Sequence, residues 1–428
     1  MDCYTALERC RVCGSEDLTQ VIRIEPQHLS PTFVEDNATA EAADILVPMT
    51  LRLCDVEAGG CGLLQLHETV DPDMLYRQYF YRSATNAMMR EHLKDVVADV
   101  SSRVTLEEGS MVVDIGANDG TLLREYPDTL QRVGLEPAQN IDWSELPESI
   151  TIVNDYFSAA ALKGKFPDAS AKIFTCCAMF YDLSDPNAFV AQIKESLDSD
   201  GVWCAQLSYL PLMLSNLNFY DICHEHLTYY SLAVLETLMD RNGLKVFDAS
   251  TNGVNGGSIR IFVTHKDSAR PTDPAEEARL DALRAEEVAL KLTSPETYTE
   301  FWKEIETLGQ KVRDYLEARS AEGRKVLGLG ASTKGNVLLQ LFGITKELMP
   351  AISERNPDKV GLRTLGTDIE LISEEAARAQ DPAVMLVLPW YFKTEIVERE
   401  REWLDSGGKL LFPMPYAHVV HGDHEEKL

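Results

Sequence analysis

The chain is short of positive charge: 40 Lys and Arg stand against 69 Asp and Glu, for a formal net charge of −29. A surface this acidic repels phosphate backbones and anionic membranes, so neither nucleic acid nor a membrane is an expected partner. Any site for an anionic ligand must then be locally basic. Long apolar runs are also missing. The best candidate, residues 383–392, contains Pro389 and is strand-sized, well short of the ~18 residues that span a bilayer. The start, Met1-Asp2-Cys3-Tyr4, lacks the basic and then apolar layout of a secretory signal, which makes a cytoplasmic location the expectation. A Gly-x-Gly-x-x-Gly fingerprint is absent at 116–120 and incomplete at 328–335. That weighs against a nicotinamide-dependent oxidoreductase.

What is present exceeds one ordinary domain. The 428 residues predict two to four, and 45% hydrophobic content is enough for sizeable cores. Nine cysteines in a chain expected to be cytosolic point to metal or catalytic use rather than disulfides. Cys10-x-x-Cys13-Gly14 is a knuckle, and Cys54 with Cys61-Gly62 supplies a looser second one. Two such pairs complete a tetrahedral S4 zinc site of the closed, structural kind. The alternation in Met49–Leu53 and Leu63–Leu66 predicts short strands of a zinc ribbon, a module too small to stand without its metal. A helical stretch follows from Asp71 to about Val104, with an aromatic knot at Tyr76, Tyr79, Phe80 and Tyr81. Tyr79 and Tyr81 are candidate lids over a ligand.

Met111-Val-Val-Asp114-Ile-Gly116-Ala-Asn118-Asp119-Gly120-Thr121 reads as buried strand, glycine turn and helix start. Glycines let a backbone approach a ligand closely, and Asp114 can orient the turn or accept from an ammonium group. A second strand ends in Glu136, where a carboxylate suits the ribose diol of an adenosine. Further strands at 151–153, 171–177 and 201–207 alternate with helices, as in an α/β sheet whose ligands bind at the carboxyl ends of strands. Tyr181 lies at such an end. So does the densest polar cluster, Tyr220-Asp-Ile-Cys223-His224-Glu225-His226-Leu-Thr-Tyr229-Tyr230-Ser231. Imidazoles, a carboxylate, a thiol and phenols this close shift one another's pKa, and an imidazole is the usual base at neutral pH. The turn 252–258, with Asn255 and Ser258, is loose enough to line a site. Residues 271–323 predict helices with solvated faces. A second glycine unit follows, from Arg324 to Asn336, and its helix start with Ser332 and Lys334 favours a diphosphate. Strands are predicted at 351–354, 365–367, 384–388 and 409–412.

In combination these residues resemble the sugar C-methyltransferases that act on nucleotide-linked 4-keto-deoxyhexoses, over essentially the whole length. The resemblance is carried by the zinc module, residues 113–121, His224 to Ser231, Gly256-Gly-Ser-Ile-Arg260, Gly330-Ala-Ser-Thr-Lys-Gly335 and Gly407-Gly-Lys-Leu410. It implies an α/β chain with four parts: a zinc-binding module (1–70), a class I Rossmann-like methyltransferase domain (71–268), a helical connector (269–322) and a second Rossmann-like domain (323–428). S-Adenosylmethionine is implied in the middle domain, on Tyr81, Asp114, Gly116, Asn118, Asp119, Gly120 and Glu136. The sugar nucleotide is implied between that domain and the last, near Tyr79, Asn255, Ser258, Arg260, Ser332 and Lys334. By the same resemblance His226 is the base, oriented by Glu225, within a catalytic set that includes His224 and Cys223. Tyr229, Tyr181 or Tyr79 would donate to an enolate oxygen. An O- or N-methyltransferase on a related sugar nucleotide is the alternative, and a monomer or weak homodimer is expected. Three departures stand out. Cys223 replaces the relatives' Tyr, residues 179–182 read Met-Phe-Tyr-Asp where many carry a histidine, and the second knuckle has four extra residues.

Overall fold

The strand Met111–Ile115 is buried at every position, as a parallel strand covered on both faces must be. It lies in the middle of a seven-stranded sheet. On one side follow Gln131–Leu135 and Ile150–Val153, on the other Ala171–Cys177 and Leu197–Ser208, all parallel. Ser258–His265 then runs antiparallel to Leu197–Ser208 and pairs with Leu244–Asn252 at the edge. Because the order reverses at the central strand, a crevice opens at its carboxyl end. The glycine turn falls there. The computed structural model describes residues 3–77, 79, 81–168 and 170–428, so Phe80 lies outside the described residues.

The N-terminal strands Leu18–Gln27, Val47–Cys54 and Leu64–Leu66 form an antiparallel sheet, and its fourth strand comes from far along the chain. Thr228–Tyr229 pairs with it, Thr228 opposite Gln65 and Tyr229 opposite Leu64. The segment that follows His224-Glu225-His226 is thus part of the cysteine-bearing sheet. Phe33–Val34 leaves in the other direction and pairs with Arg363–Thr364 at the edge of the C-terminal sheet.

That last sheet has nine strands. Val326–Leu329, Ala351–Glu354, Glu370–Ser373, Val384–Val387 and Leu410–Phe412 are parallel, while His418–His421 and His424–Lys427 close one edge antiparallel. Residues 365–367, expected as a strand, instead make a turn. Gly366 and Asp368 have φ of +79° and +56°, and the chain reverses there between Arg363–Thr364 and Glu370–Ser373. Two helices, Pro274–Ala289 and Pro295–Ala321, join the units. The second buries Tyr298, Phe301, Ile305, Leu308, Val312 and Leu316, one stripe at helical spacing. One apolar core runs from Ile22 and Met49 of the N-terminal sheet through Cys223 and Tyr229 to Tyr298 and Leu338. The His-Glu-His segment sits where the parts meet. No helix among the described residues is long and apolar enough to cross a membrane.

Candidate active site

Cys10 and Cys13 flank a tight turn in which the Gly14 N–H donates to the Cys10 carbonyl, with Gly14 at φ +79°. Cys54 ends its strand, and the six residues after it fold back on themselves through Gly60 N–H to Asp55 O, returning Cys61 to Cys54. The extra residues of the second knuckle are therefore absorbed in a self-closed loop. The four Sγ atoms lie within 4.8 Å of one another, with Cys10–Cys61 and Cys13–Cys54 each at 3.5 Å. Zinc–thiolate bonds of about 2.3 Å in a tetrahedron place sulfurs about 3.8 Å apart, so the set fits that ion. It leaves no open ligand position.

The glycine turn is held from two sides. Gly116 N–H and Ala117 N–H both donate to Leu135 O. Glu136 accepts from Asn118 N–H on one carboxylate oxygen and from Ala138 N–H on the other, each at 2.8 Å. At Gly120, φ is +77°, and a Cβ would come within 2.8 Å of Leu146, so a side chain is barred there. Asp114 accepts from Thr175 Oγ1 at 2.6 Å, and burial pushes its pKa up to about 7. Burial also raises Glu136, against its two backbone donors. Asp119, just before the short helix, accepts from the Thr121 hydroxyl at 2.6 Å and N–H at 3.2 Å, and it also accepts from Ala84 N–H. Above the turn lies the aromatic segment. Asn118 donates to Tyr81 O and accepts from Ser83 N–H, while Arg82 donates to the carbonyls of Tyr79, Tyr81 and Asn140. Arg82, Asn140 and Trp143, whose indole donates to Asn118 O at 2.9 Å, hold this cover in place. No periodicity marks such loop residues, and the sequence offers no signal for the last two. Two buried carboxylates, a glycine cradle and an aromatic cover fit a ribose diol and a cationic ligand.

The His-Glu-His run is a turn, because Asp221, Cys223 and Tyr181 carbonyls take successive N–H groups at Cys223, His226 and Leu227. It is buried throughout. His224 is fixed by Val47 O at 3.1 Å from its Nε2, and burial pushes its pKa down to about 4. The His226 ring lies against Tyr181, centroids 4.1 Å apart, with the Asp221 carbonyl as its polar neighbour. Burial, and then the Lys334 charge, lower its pKa to about 3, so the imidazole is neutral over the whole ordinary pH range. Among the described residues no hydrogen bond joins His226 to Glu225. Glu225 instead neighbours Cys223, Asp182 and the Tyr76 hydroxyl, which donates to its carbonyl, and burial lifts its carboxyl to about 7. The Cys223 thiol is fully buried and pushed far up, so it is not a thiolate. Tyr229 is buried with its hydroxyl unpartnered, and the buried Tyr181 and half-buried Tyr79 neighbour the Asp182 carboxylate.

Other sequence-derived candidates fall differently. Arg260 is bound by Asp95 and Asp99 at 2.9 and 2.7 Å and by Gln206, so its guanidinium serves the helix Ala87–Ser101, not a ligand. Ser258 donates within its own turn to Val254 O, and Ser332 caps the helix Thr333–Leu341. Lys334 is turned from the expected diphosphate into a buried pair with Asp221, 2.5 Å away, and reaches Asn255 O at 3.3 Å. Its ammonium lies 5.0 Å from the Tyr220 ring centroid and 5.7 Å from that of Tyr391. Burial disfavours that charge, but Asp221 and Tyr391 raise it above its ordinary value; for Asp221, burial outweighs the ammonium. Lys334 thereby ties the C-terminal glycine loop to the residue whose carbonyl faces His226. Replacing it with methionine strands a buried carboxylate, a change that typically costs about 3–5 kcal/mol. We expect Lys334→Met to melt well below the wild type, with Asp221→Asn added to it recovering much of the loss. Equal melting of the single variant and the wild type would refute the pairing.

Three family models match in order along the chain: "Putative zinc binding domain" at residues 10–76, "Methyltransferase domain" at 86–249 and "C-methyltransferase C-terminal domain" at 253–415. The C-methyltransferase NovU of Streptomyces niveus is 28% identical over 424 residues, 99% of either chain. Among solved structures, the magnesium protoporphyrin IX methyltransferase ChlM of Synechocystis PCC 6803 is 12% identical over 42% of this chain and 88% of its own, with a TM-score of 0.33. The mitomycin 7-O-methyltransferase MmcR is 16% identical over 42% of this chain and 55% of its own, also at 0.33.

Proposed function

We propose, on the premise that this chain belongs to the C-methyltransferases and is an S-adenosylmethionine-dependent methyltransferase with a zinc-binding domain, that it methylates the carbon beside the ketone of a nucleotide-linked 4-keto-deoxyhexose. The observation that carries the reading is the placement of His226, buried against Tyr181 in the turn where the N-terminal sheet, the glycine turn's domain and the C-terminal unit meet.

When bound, S-adenosylmethionine supplies an electrophilic methyl group. The residues placed to hold it are Asp114, Gly116, Asn118 and Glu136, under the cover of Tyr79, Arg82 and Tyr81. His226 takes the proton from the carbon next to the ketone, a task for a neutral imidazole. Its ring is positioned by Tyr181 and by the Asp221 carbonyl. The charge that develops on the ketone oxygen calls for a donor, and the phenols of Tyr79, Tyr181 and Tyr229 are the nearby candidates. Lys334 adds a fixed positive charge from across the domain junction. The protein then has only to align carbanion and methyl, which is catalysis by proximity.

The test is product analysis with S-adenosylmethionine and a nucleoside-diphosphate 4-keto-6-deoxyhexose. Loss of one C–H signal next to the carbonyl, with a new methyl on that carbon, is expected. A methyl on oxygen or nitrogen with every C–H retained would refute it. Cofactor binding gives a second check. A carboxylate that also accepts from the Asn118 N–H of the turn and from Ala138 N–H contributes charge-assisted bonds of roughly 1.5–3 kcal/mol. Glu136→Ala should therefore weaken S-adenosylhomocysteine binding by about tenfold or more, while sugar-nucleotide binding measured by calorimetry stays nearly unchanged. Unaltered cofactor affinity would mean that another acid meets the ribose.

A further inference from the structure

Arg11 sits between two zinc ligands, Cys10 and Cys13, yet its side chain points away from them into the protein and is 8% exposed. Its backbone N–H donates to Gln65 Oε1 at 3.0 Å. Its guanidinium donates to Leu66 O at 2.6 Å, to Thr69 Oγ1 at 2.7 Å and to Gln65 Oε1 at 3.5 Å. Among the described residues no carboxylate pairs with it. The anionic groups near this buried cation are the Cys10 thiolate and the buried Glu68 carboxylate, and four thiolates on one zinc ion would keep a net negative charge there.

The residues Arg11 grips are the ones that carry the His-Glu-His turn. Gln65 lies opposite Thr228 in the sheet, Leu64 opposite Tyr229, and Leu66 N–H donates to Leu227 O at 2.9 Å. The neighbouring strand Val47–Cys54 has a zinc ligand at one end and, at the other, Val47, whose carbonyl fixes His224. Asn187 of the methyltransferase domain donates to the Arg11 and Val12 carbonyls at 2.8 and 3.0 Å, so the knuckle is also fastened to the sheet that carries the glycine turn. A two-residue strand such as Thr228–Tyr229 has little hold of its own and takes its position from its partner.

We infer that Arg11 is a positioning residue that carries the order of the zinc knuckle through Gln65 and Leu66 into the turn 224–229, so that the knuckle sets the place of His226 as well as the stability of the N-terminal sheet. The inference rests on the proposed reading that this turn performs the reaction. No contact of Arg11 with substrate or cofactor is involved.

The test uses the full-length, zinc-loaded protein as wild type, Arg11→Met, Arg11→Lys and Gln65→Ala, with His226→Ala as reference. Zinc content is measured first and is expected to be unchanged. Amide hydrogen exchange across 222–230 should then be faster in Arg11→Met and Gln65→Ala, while that of 111–120 is not. The kcat should fall by about tenfold to 10²-fold, the scale on which small misplacements act, with KM for S-adenosylmethionine near the wild-type value. Arg11→Lys, which can keep one of the bonds, should lie between. If Arg11→Met fails to fold, Gln65→Ala answers the same question with the guanidinium intact. Wild-type exchange at 222–230 in variants that keep their zinc would overturn the inference, and so would faster exchange with an unchanged kcat. A fully active His226→Ala would show instead that the reading of the site, not the support of the turn, is at fault.

Discussion

Replacing Cys54 with serine lowers zinc content and melting temperature together, and the damage reaches well past the N-terminal segment. A closed S4 site contributes folding free energy outright, with apparent values of about 10–16 kcal/mol for structural zinc in isolated small domains. Part of that is expected here, because the sheet around the site also packs into the core that runs to Tyr298 and Leu338. Cys54 is nevertheless well chosen for the test. It closes the metal cluster and ends the strand whose first residue, Val47, anchors His224. Loss of the ion thus frees one end of a sheet whose edge strand is Thr228–Tyr229. Metal analysis alongside thermal denaturation provides the check. A preparation that is free of zinc and melts like the wild type would remove the zinc assignment altogether.

Much of this architecture is legible in the sequence, because the features that fixed it are local. Strand, glycine turn and strand-ending acid are contiguous from Met111 to Glu136, and each needs only its neighbours to make sense. Four cysteines in two knuckles carry their own geometry, even with the second loop lengthened. What is not legible depends on partners distant in the chain. Thr228–Tyr229 is too short to show alternation, and its pairing with Gln65 and Leu64 spans more than half the distance from the N-terminus to the connector helices. The pairing of Lys334 with Asp221 is hidden for the same reason. A lysine at a helix start reads as a phosphate ligand until a buried carboxylate from another domain is found beside it. Arg260 and Ser332 follow suit, one taken up by Asp95 and Asp99, the other by its own helix cap. Glu225 is a case of another kind: adjacency in sequence argues for contact with His226, while in the fold no hydrogen bond joins the two among the described residues and the Asp221 carbonyl is the ring's polar neighbour.

Burial gives the histidines a pH signature. His224 and His226 have folded-state values of about 4 and 3, against 6.5 when the chain is unfolded. Above pH 6.5 both states are neutral there, and the native state loses nothing. As the pH falls from about 6.5 toward 3 the unfolded chain takes up protons at these two positions that the folded one refuses, so their contribution to stability drops across that window, while Asp114 and Glu225, raised to about 7, contribute in the opposite sense.

His226→Ala is expected to abolish the reaction at its first step. If His226 removes a proton from carbon, the wild type incubated with the sugar nucleotide and S-adenosylhomocysteine in deuterated water should exchange that proton, since enolisation does not require the methyl group. General bases contribute about 10²–10⁴ in rate, and the alanine variant should lose both exchange and methylation by at least that range. A phenol that only stabilises the enolate behaves otherwise. Tyr181→Phe or Tyr229→Phe should slow both steps by about 10²–10³ yet leave exchange measurable. The acid limb of the exchange profile should lie below the usual imidazole value of 6.5, because burial and the Lys334 charge hold the ring neutral. In Lys334→Met one of those causes is gone, and the limb should move up in pH. The thiol of Cys223, buried and protonated, should matter little to proton transfer, so Cys223→Ala should keep exchange within a few-fold of the wild type. Normal exchange in His226→Ala, with loss of it in His224→Ala or Cys223→Ala, would place the base elsewhere in the same turn. Exchange that survives all three substitutions would place the chemistry outside it.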